Sequence, residues 1–258
     1  MRRRPPNRSS GAGTFFSPTP PRIFAHRGLA LEAPENTLLA FLAALSLGLD
    51  YLETDVQVSH DGVAVVAHDP DLSRVAGRSI RIDQLTLAEL KRIDLGNGQT
   101  FSSLAEVLDA FPEARFNLDI KCAGAVGPTV DAILDAQAVR RVLIASFDDR
   151  RRLAAVSLLP GVATSASRGS TVTALLAGLF GLKPLLRSAL RNVDAMQIPE
   201  QIAGMRIVTP RMVRMLHDAG VEVHVWTVND VATMKRLLAI GVDGIVTDRA
   251  DLAVGLRA

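Results

Sequence analysis

The chain has 258 residues, 48% of them hydrophobic and 22% charged, which is enough apolar mass for one core of barrel size and too ordinary a charge content for a mostly disordered chain. The formal net charge is only +2 and aromatics are 4%, not interleaved with basic residues, which excludes a single-stranded nucleic-acid platform and any nucleic-acid partner of that kind. A single cysteine, Cys122, excludes an internal disulfide and fits a reducing compartment.

Residues 1–21 are rich in Arg, Pro, Ser and Gly, and no apolar run of signal-peptide length follows the arginines. The segment reads as a disordered basic tail ahead of one domain over 22–258, with a cytoplasmic location expected. From Arg22 onward, short β-branched runs alternate with Ala/Leu-rich stretches. Strands are predicted over 23–26, 51–56, 115–120, 141–145, 161–165, 195–198, 222–227 and 244–247. Helices are predicted over 37–47, 126–138, 148–158, 172–190, 209–219, 231–239 and 249–256. Gly48, Gly220 and Gly241 stand where helix C-caps belong, each just before a new strand.

Eight strands with helices between them predict a closed α/β fold, a TIM (β/α)8 barrel. An open doubly wound sheet is the alternative, but no Gly-x-Gly-x-x-Gly follows the first strand. A small insertion follows the second barrel strand, over about 59–108. It opens on Asp61-Gly62, a hairpin-turn signal, and a return strand over 63–67. The most apolar stretch, 172–190, is broken by Lys183, Pro184 and Arg187 and is too short to span a bilayer. A core-facing helix is its plain reading, and a transient membrane-surface contact the lesser one.

Polar residues sit at the ends of several of these apolar strands: His26 and Arg27 after 23–25, Glu53 and Asp55, His68 after 63–67, then Asp119 and Lys121. In such barrels the strand ends carry the site. Strand alternation puts Glu53 and Asp55 on one face, and Asn117, Asp119 and Lys121 on one face of the next strand. With strands about 4.8 Å apart, three carboxylates can converge on one hard cation. Oxygen-only ligation favours Mg²⁺ or Ca²⁺ over Zn²⁺. A rim salt bridge is the plainer reading of Glu53 and Asp55, set against the repulsion of two neighbouring carboxylates.

His26 and His68 suit a general acid–base pair, because imidazole titrates near neutrality. Arg27 offers a planar fork to phosphate oxygens and Lys121 a point charge. His60, His217 and His224 read as structural or exposed. Asn36 or Thr37 caps the first helix, and Glu35 beside them is left open. Trp226 either packs in the core or floors a pocket for an apolar part of a substrate. Cys122 points away from the site by strand alternation.

In order, His26-Arg27-Gly28, Pro34-Glu35-Asn36-Thr37, Glu53-Thr54-Asp55, Asp61-Gly62, His68-Asp69, Asn117-Leu118-Asp119-Ile120-Lys121, Val225-Trp226-Thr227-Val228-Asn229 and Gly241-Val242-Asp243-Gly244-Ile245-Val246-Thr247-Asp248 form a signature. This signature resembles the glycerophosphodiester phosphodiesterase family, from Arg22 to the C-terminus. The resemblance implies a TIM barrel that hydrolyses a small-molecule glycerophosphodiester to an alcohol and glycerol 3-phosphate. It implies His26 and His68 as the acid–base pair, and Glu53, Asp55 and Asp119 as ligands of a divalent cation. Arg27 and Lys121 would hold the phosphate. The third ligand of the family is commonly glutamate, so Asp119 departs from the pattern by one methylene. Two alternatives stand beside this reading: a lysophospholipase D-type enzyme that meets acyl chains through 172–190, and a non-catalytic phosphate-ligand-binding barrel.

Overall fold

Eight short parallel strands alternate with helices in the computed structural model, which describes residues 15–256. The strands are β1 (Arg22–His26), β2 (Tyr51–Val58), β3 (Arg115–Ile120), β4 (Val142–Ala145), β5 (Ala163–Thr164), β6 (Ala195–Pro199), β7 (Glu222–Trp226) and β8 (Gly244–Thr247). Their order in the sheet is β5-β4-β3-β2-β1-β8-β7-β6. The two ends meet where Ser165 bridges Ala195, with Asp194 N on Thr164 O and Ala166 N on Ala195 O, both at 2.9 Å. That seam closes the ring into a (β/α)8 barrel and removes the open-sheet alternative.

Alternation along the strands makes two cores. Outward side chains such as Ile23, Leu52, Phe116, Ile144 and Ile245 pack against the helices. Inward ones, Phe24, Tyr51, Leu143, Ala163, Ala195 and Val246, fill the barrel. The barrel helices are α1 (Leu38–Ser46), α2 (Leu104–Ala110), α3 (Val126–Asp135), α4 (Asp149–Leu158), α5 (Arg168–Leu179), α6 (Lys183–Ala189), α7 (Pro210–Asp218), α8 (Val231–Ala239) and α9 (Ala250–Ala253). Gly48, Gly220 and Gly241 end α1, α7 and α8 with positive φ, as expected of C-caps.

Three expectations change. The disordered tail does not reach Pro21: Phe15 and Phe16 are buried in the barrel's inner core, because two adjacent aromatics offset the polarity around them. The remainder of the expected tail, 1–14, lies outside the described residues. The stretch 172–190 is two helices, parted at Gly181 with φ +70. Its core-facing reading fails for one whole side, since Leu176, Leu179 and Phe180 are exposed. The insertion is also shorter than 59–108. Its end falls before α2, which a Ser103–Glu106 capping box starts and whose Leu104, Val107 and Leu108 join the outer core. The inserted residues have a core of their own around Val65, Leu72, Ile82, Leu90 and Phe101. As expected, Asp61-Gly62 turns the chain so that Ala64–Val66 pairs antiparallel with β2.

Candidate active site

Every expected site residue except Trp226 enters one connected network at the C-terminal ends of β1, β2 and β3 and in the loop after the return strand. The turn after β1 sets the entry. Gly28 has φ +85, and a Cβ there would come within 2.7 Å of the Ala40 backbone, so only glycine lets the turn fold beneath α1. Arg27 and Asn36 also hold left-handed backbone, φ 58 and 57, the kind of strain that collects where function fixes the geometry. Thr37, not Asn36, is the helix cap. Asn36 is buried instead in the site, accepting from Thr54 Oγ1 at 2.7 Å and turning its amide toward Asp55 at 3.5 Å.

β2 and β3 supply the charges in register, with Asp55 opposite Asp119. Lys121 Nζ lies 2.7 Å from both Asp55 Oδ1 and Asp119 Oδ2. Burial pulls the Lys121 pKa down, but the Asp55 and Asp119 charges outweigh it and the net direction is upward. Arg27 Nε is 3.2 Å from Asp55 Oδ2, an ion pair without the alignment of a hydrogen bond, and its Nη1 donates to Glu35 at 3.0 Å. Burial and the adjacent Asp55 charge push the Glu53 carboxyl up to about 8.

Each histidine is held by a carboxylate at Nδ1: His26 by Asp248 at 2.6 Å and His68 by Asp69 at 2.7 Å. A carboxylate only accepts, so Nδ1 is the donor in both rings and Nε2 faces the other way. His26 Nε2 lies 3.8 Å from Glu53. Burial lowers the His26 pKa, and the Asp248 hydrogen bond and Glu53 charge more than reverse it. Two cavities of about 200 and 280 Å³ share His68 in their walls, the first with Glu35, Asp69 and Arg74, the second with Gln57, Lys121 and Cys122.

The donors fit a hard divalent cation by type. Glu53, Asp55 and Asp119 present only oxygens from adjacent strands, and the buried Asp119 Oδ1 has no hydrogen-bond partner. Lys121 already stands between two of them, and among the described residues no three His, Cys, Asp or Glu side chains are drawn into a cation cage.

Sequence reasoning gave no role to four members of this network. Asp69 and Asp248 orient the histidines, Asn229 binds Asp248 at 2.8 Å, and Arg74 joins Asp69 to Glu35. Asp69, Asn229 and Asp248 stand in the signature without a role of their own, and Asp248 and Asn229 reach His26 from loops more than two hundred residues away in sequence. Arg74, in a short helix of the insertion five residues after Asp69, had no signal. Trp226 lies at the end of β7, half-buried and edge-on to Phe147 at 6.1 Å. Of the other histidines, His60 is exposed, His217 pairs with Asp243 at 2.6 Å and His224 is fully buried beside Glu222. Cys122 is a free thiol packed on the outer core.

A barrel whose rim gathers two carboxylate-held histidines, an arginine, a lysine and three further carboxylates belongs among the enzymes that act on phosphate esters. The family model described as "Glycerophosphoryl diester phosphodiesterase family" matches residues 26–252. The Mycobacterium tuberculosis protein named Probable glycerophosphodiester phosphodiesterase 2 is 43% identical over 230 residues, covering 88% of this chain and 87% of its own. A glycerophosphodiester phosphodiesterase from Caldanaerobacter subterraneus is 30% identical, covering 91% and 96%. The crystal structure of an Oleispira antarctica phosphodiesterase in complex with the product sn-glycerol 3-phosphate superposes with a TM-score of 0.76 at 25% identity, covering 92% and 97%. The chain belongs to the glycerophosphoryl diester phosphodiesterase family and is a phosphoric diester hydrolase. That membership sets aside the non-catalytic barrel.

Proposed function

We propose that the protein hydrolyses glycerophosphodiesters to an alcohol and glycerol 3-phosphate with divalent-cation assistance and with His26 and His68 as its proton carriers. The observation that carries this reading is the pair of carboxylate-held imidazoles, His26–Asp248 and His68–Asp69, each with its Nε2 turned from the carboxylate. Held in this way, one ring accepts the proton of the attacking hydroxyl as the new P–O bond forms. The other donates to the leaving alcohol oxygen as the old P–O bond breaks. The attacking group is water or the glycerol 2-hydroxyl, which would give a cyclic phosphate first. Arg27 and Lys121 bind phosphate oxygens, and Trp226 borders the substrate's non-phosphate part. Glu53, Asp55 and Asp119 would hold Mg²⁺ or Ca²⁺, which when bound supplies positive charge against the phosphate and acidifies the attacking hydroxyl. On this reading the enzyme works in the cytoplasm, where Cys122 stays reduced.

A lysophospholipase D activity would use the same groups on an acylated substrate, and two mammalian relatives at 26–27% identity carry that name. Release of alcohol from glycerophosphocholine and from lysophosphatidylcholine, each with Mg²⁺, Ca²⁺ or EDTA, separates these readings. Turnover is expected on glycerophosphocholine with cation and its loss in EDTA, restored by adding the ion back. Full activity in EDTA removes the cation, and preference for lysophosphatidylcholine moves the assignment to the lipid enzyme.

A further inference from the structure

α5 is built inside out. Its buried face is Ala174, Ala177 and Gly178, while Val172, Leu176 and Leu179 share the face turned to water. A helix of a soluble domain normally turns its large apolar residues inward. The small residues have a packing reason: Gly178 lies so close to Met212 of α7 that a Cβ would stand 2.8 Å from the Met212 side chain. The outward leucines have no such reason. The apolar surface continues through Phe180, 71% exposed, and on to Leu182 and Leu185 at the start of α6. Single exposed leucines are ordinary, but a run of them over two consecutive helices marks an interaction surface.

Its charge is one-sided. Between Asp149 and Asp194 the chain has no acidic residue, and Arg168, Lys183, Arg187 and Arg191 are all exposed. Asp218 approaches Lys183 only at 3.8 Å, as an exposed pair that neutralises little. The surface also reaches the rim of the active site. Arg168 N donates to Phe147 O at 3.2 Å, and Phe147, 58% exposed, stands edge-on to Trp226. Just after β6 in the chain, the hairpin of Gln201–Ile202 and Met205–Arg206 is exposed throughout and presents Met205 beside Arg206.

We infer that α5, α6 and the turn between them dock on an anionic phospholipid bilayer and set the rim of the active site against it. Leucines and a phenylalanine flanked by cations match an interfacial helix, whose apolar face enters the acyl boundary while lysine and arginine meet lipid phosphates. A second copy of this chain fits less well, because a two-fold pairing would bring the same cations together. The inference does not depend on the catalytic assignment, since binding is read without turnover.

The full chain is to be sedimented with vesicles of phosphatidylcholine alone and of phosphatidylcholine mixed with phosphatidylglycerol. Binding is expected to the mixed vesicles, to weaken with added salt, and to be lost in Leu176→Ser/Leu179→Ser/Phe180→Ser. Lys183→Gln and Arg187→Gln should each weaken it about fivefold, the effect of removing one cation near an anionic surface. All substituted side chains are exposed, and unchanged melting of each variant confirms folding. Failure of the wild type to bind the mixed vesicles overturns the inference. So does equal binding by the wild type and the triple variant, or self-association abolished by that variant with no vesicle binding.

Discussion

Both ends of the barrel bury charged groups, and they treat them in opposite ways. At the N-terminal end, Arg22 is 1% exposed and donates to both Glu222 oxygens at 2.8 and 2.9 Å, to Tyr51 Oη at 2.9 Å and to the carbonyls of Phe16 and Pro18. Tyr51 donates onward to Phe15 O at 2.6 Å, and the two phenylalanines close the end. At the C-terminal end, Asp119 Oδ1 and Arg27 Nε are buried without a hydrogen bond, and carboxylates crowd at Glu53, Asp55 and Asp119. Buried charge is expensive unless it is paired and hydrogen-bonded. The closed end meets that condition in full with its own residues; the open end meets it only in part, through Lys121 and Arg27. The first pattern belongs to structure and the second to function.

The largest effect should come from breaking the closed end. Glu222→Gln leaves the Arg22 guanidinium buried and uncompensated, and should lower the free energy of unfolding by about 3–5 kcal/mol in urea titration. Turnover of the molecules that remain folded should not change; a drop in turnover with unaltered stability would invert the comparison. The same pair sets an acid limit. Burial alone would raise the Glu222 carboxyl, but hydrogen bonds from Arg22 and His224 bring it down to about 2 from its ordinary 4.5. The folded state therefore sheds this proton more readily than the unfolded chain does. The resulting stability is complete above about pH 4.5 and is lost as pH falls through about 2. The stability gap between wild type and Glu222→Gln should narrow across that interval, and a gap that is constant with pH would detach Glu222 from the network.

At the open end the signs reverse. His26→Ala and His68→Ala should each lower turnover at least about a hundredfold while leaving the urea midpoint within error, since neither ring carries core packing. Near-normal turnover in either variant would remove that ring from proton transfer.

Much of this was legible in advance, because strand alternation and strand-end position are local properties. Period two puts Glu53 with Asp55 and Asp119 with Lys121, and the β2–β3 register at Asp55 and Asp119 brings the two pairs together. What escaped was whatever depends on long-range packing. Phe15 and Phe16 lie in a composition that reads as tail, and only closure of the barrel gives them a hole to fill. Helix α2, seven residues long, hid in the insertion because so short an amphipathic helix looks like its polar neighbours until the outer core claims it. Residues 172–190 are apolar enough for a core helix, but the face that packs inward is the small one, Ala174, Ala177 and Gly178, which periodicity of large apolar residues does not pick out.

The smallest effect tests whether the open end has its own internal order. Arg74, from the insertion, donates through Nε to Asp69 at 2.6 Å and through both terminal nitrogens to Glu35 at 2.6 and 2.9 Å. Asp69 holds His68 and Glu35 holds Arg27, so one guanidinium positions a proton carrier and a phosphate binder together. Burial raises the Glu35 carboxyl, yet the Arg74 hydrogen bonds outweigh it and the net direction is downward. Arg74→Gln should reduce kcat about tenfold, the loss expected when a supporting hydrogen bond to a functional group is removed. Arg74→Lys should not rescue it, because a point charge cannot span two carboxylates in a fixed fork. The double variant Arg74→Gln/His68→Ala should be no slower than His68→Ala alone if Arg74 acts only through that ring. A further loss in the double variant would show that the Glu35–Arg27 arm carries a separate share of the positioning.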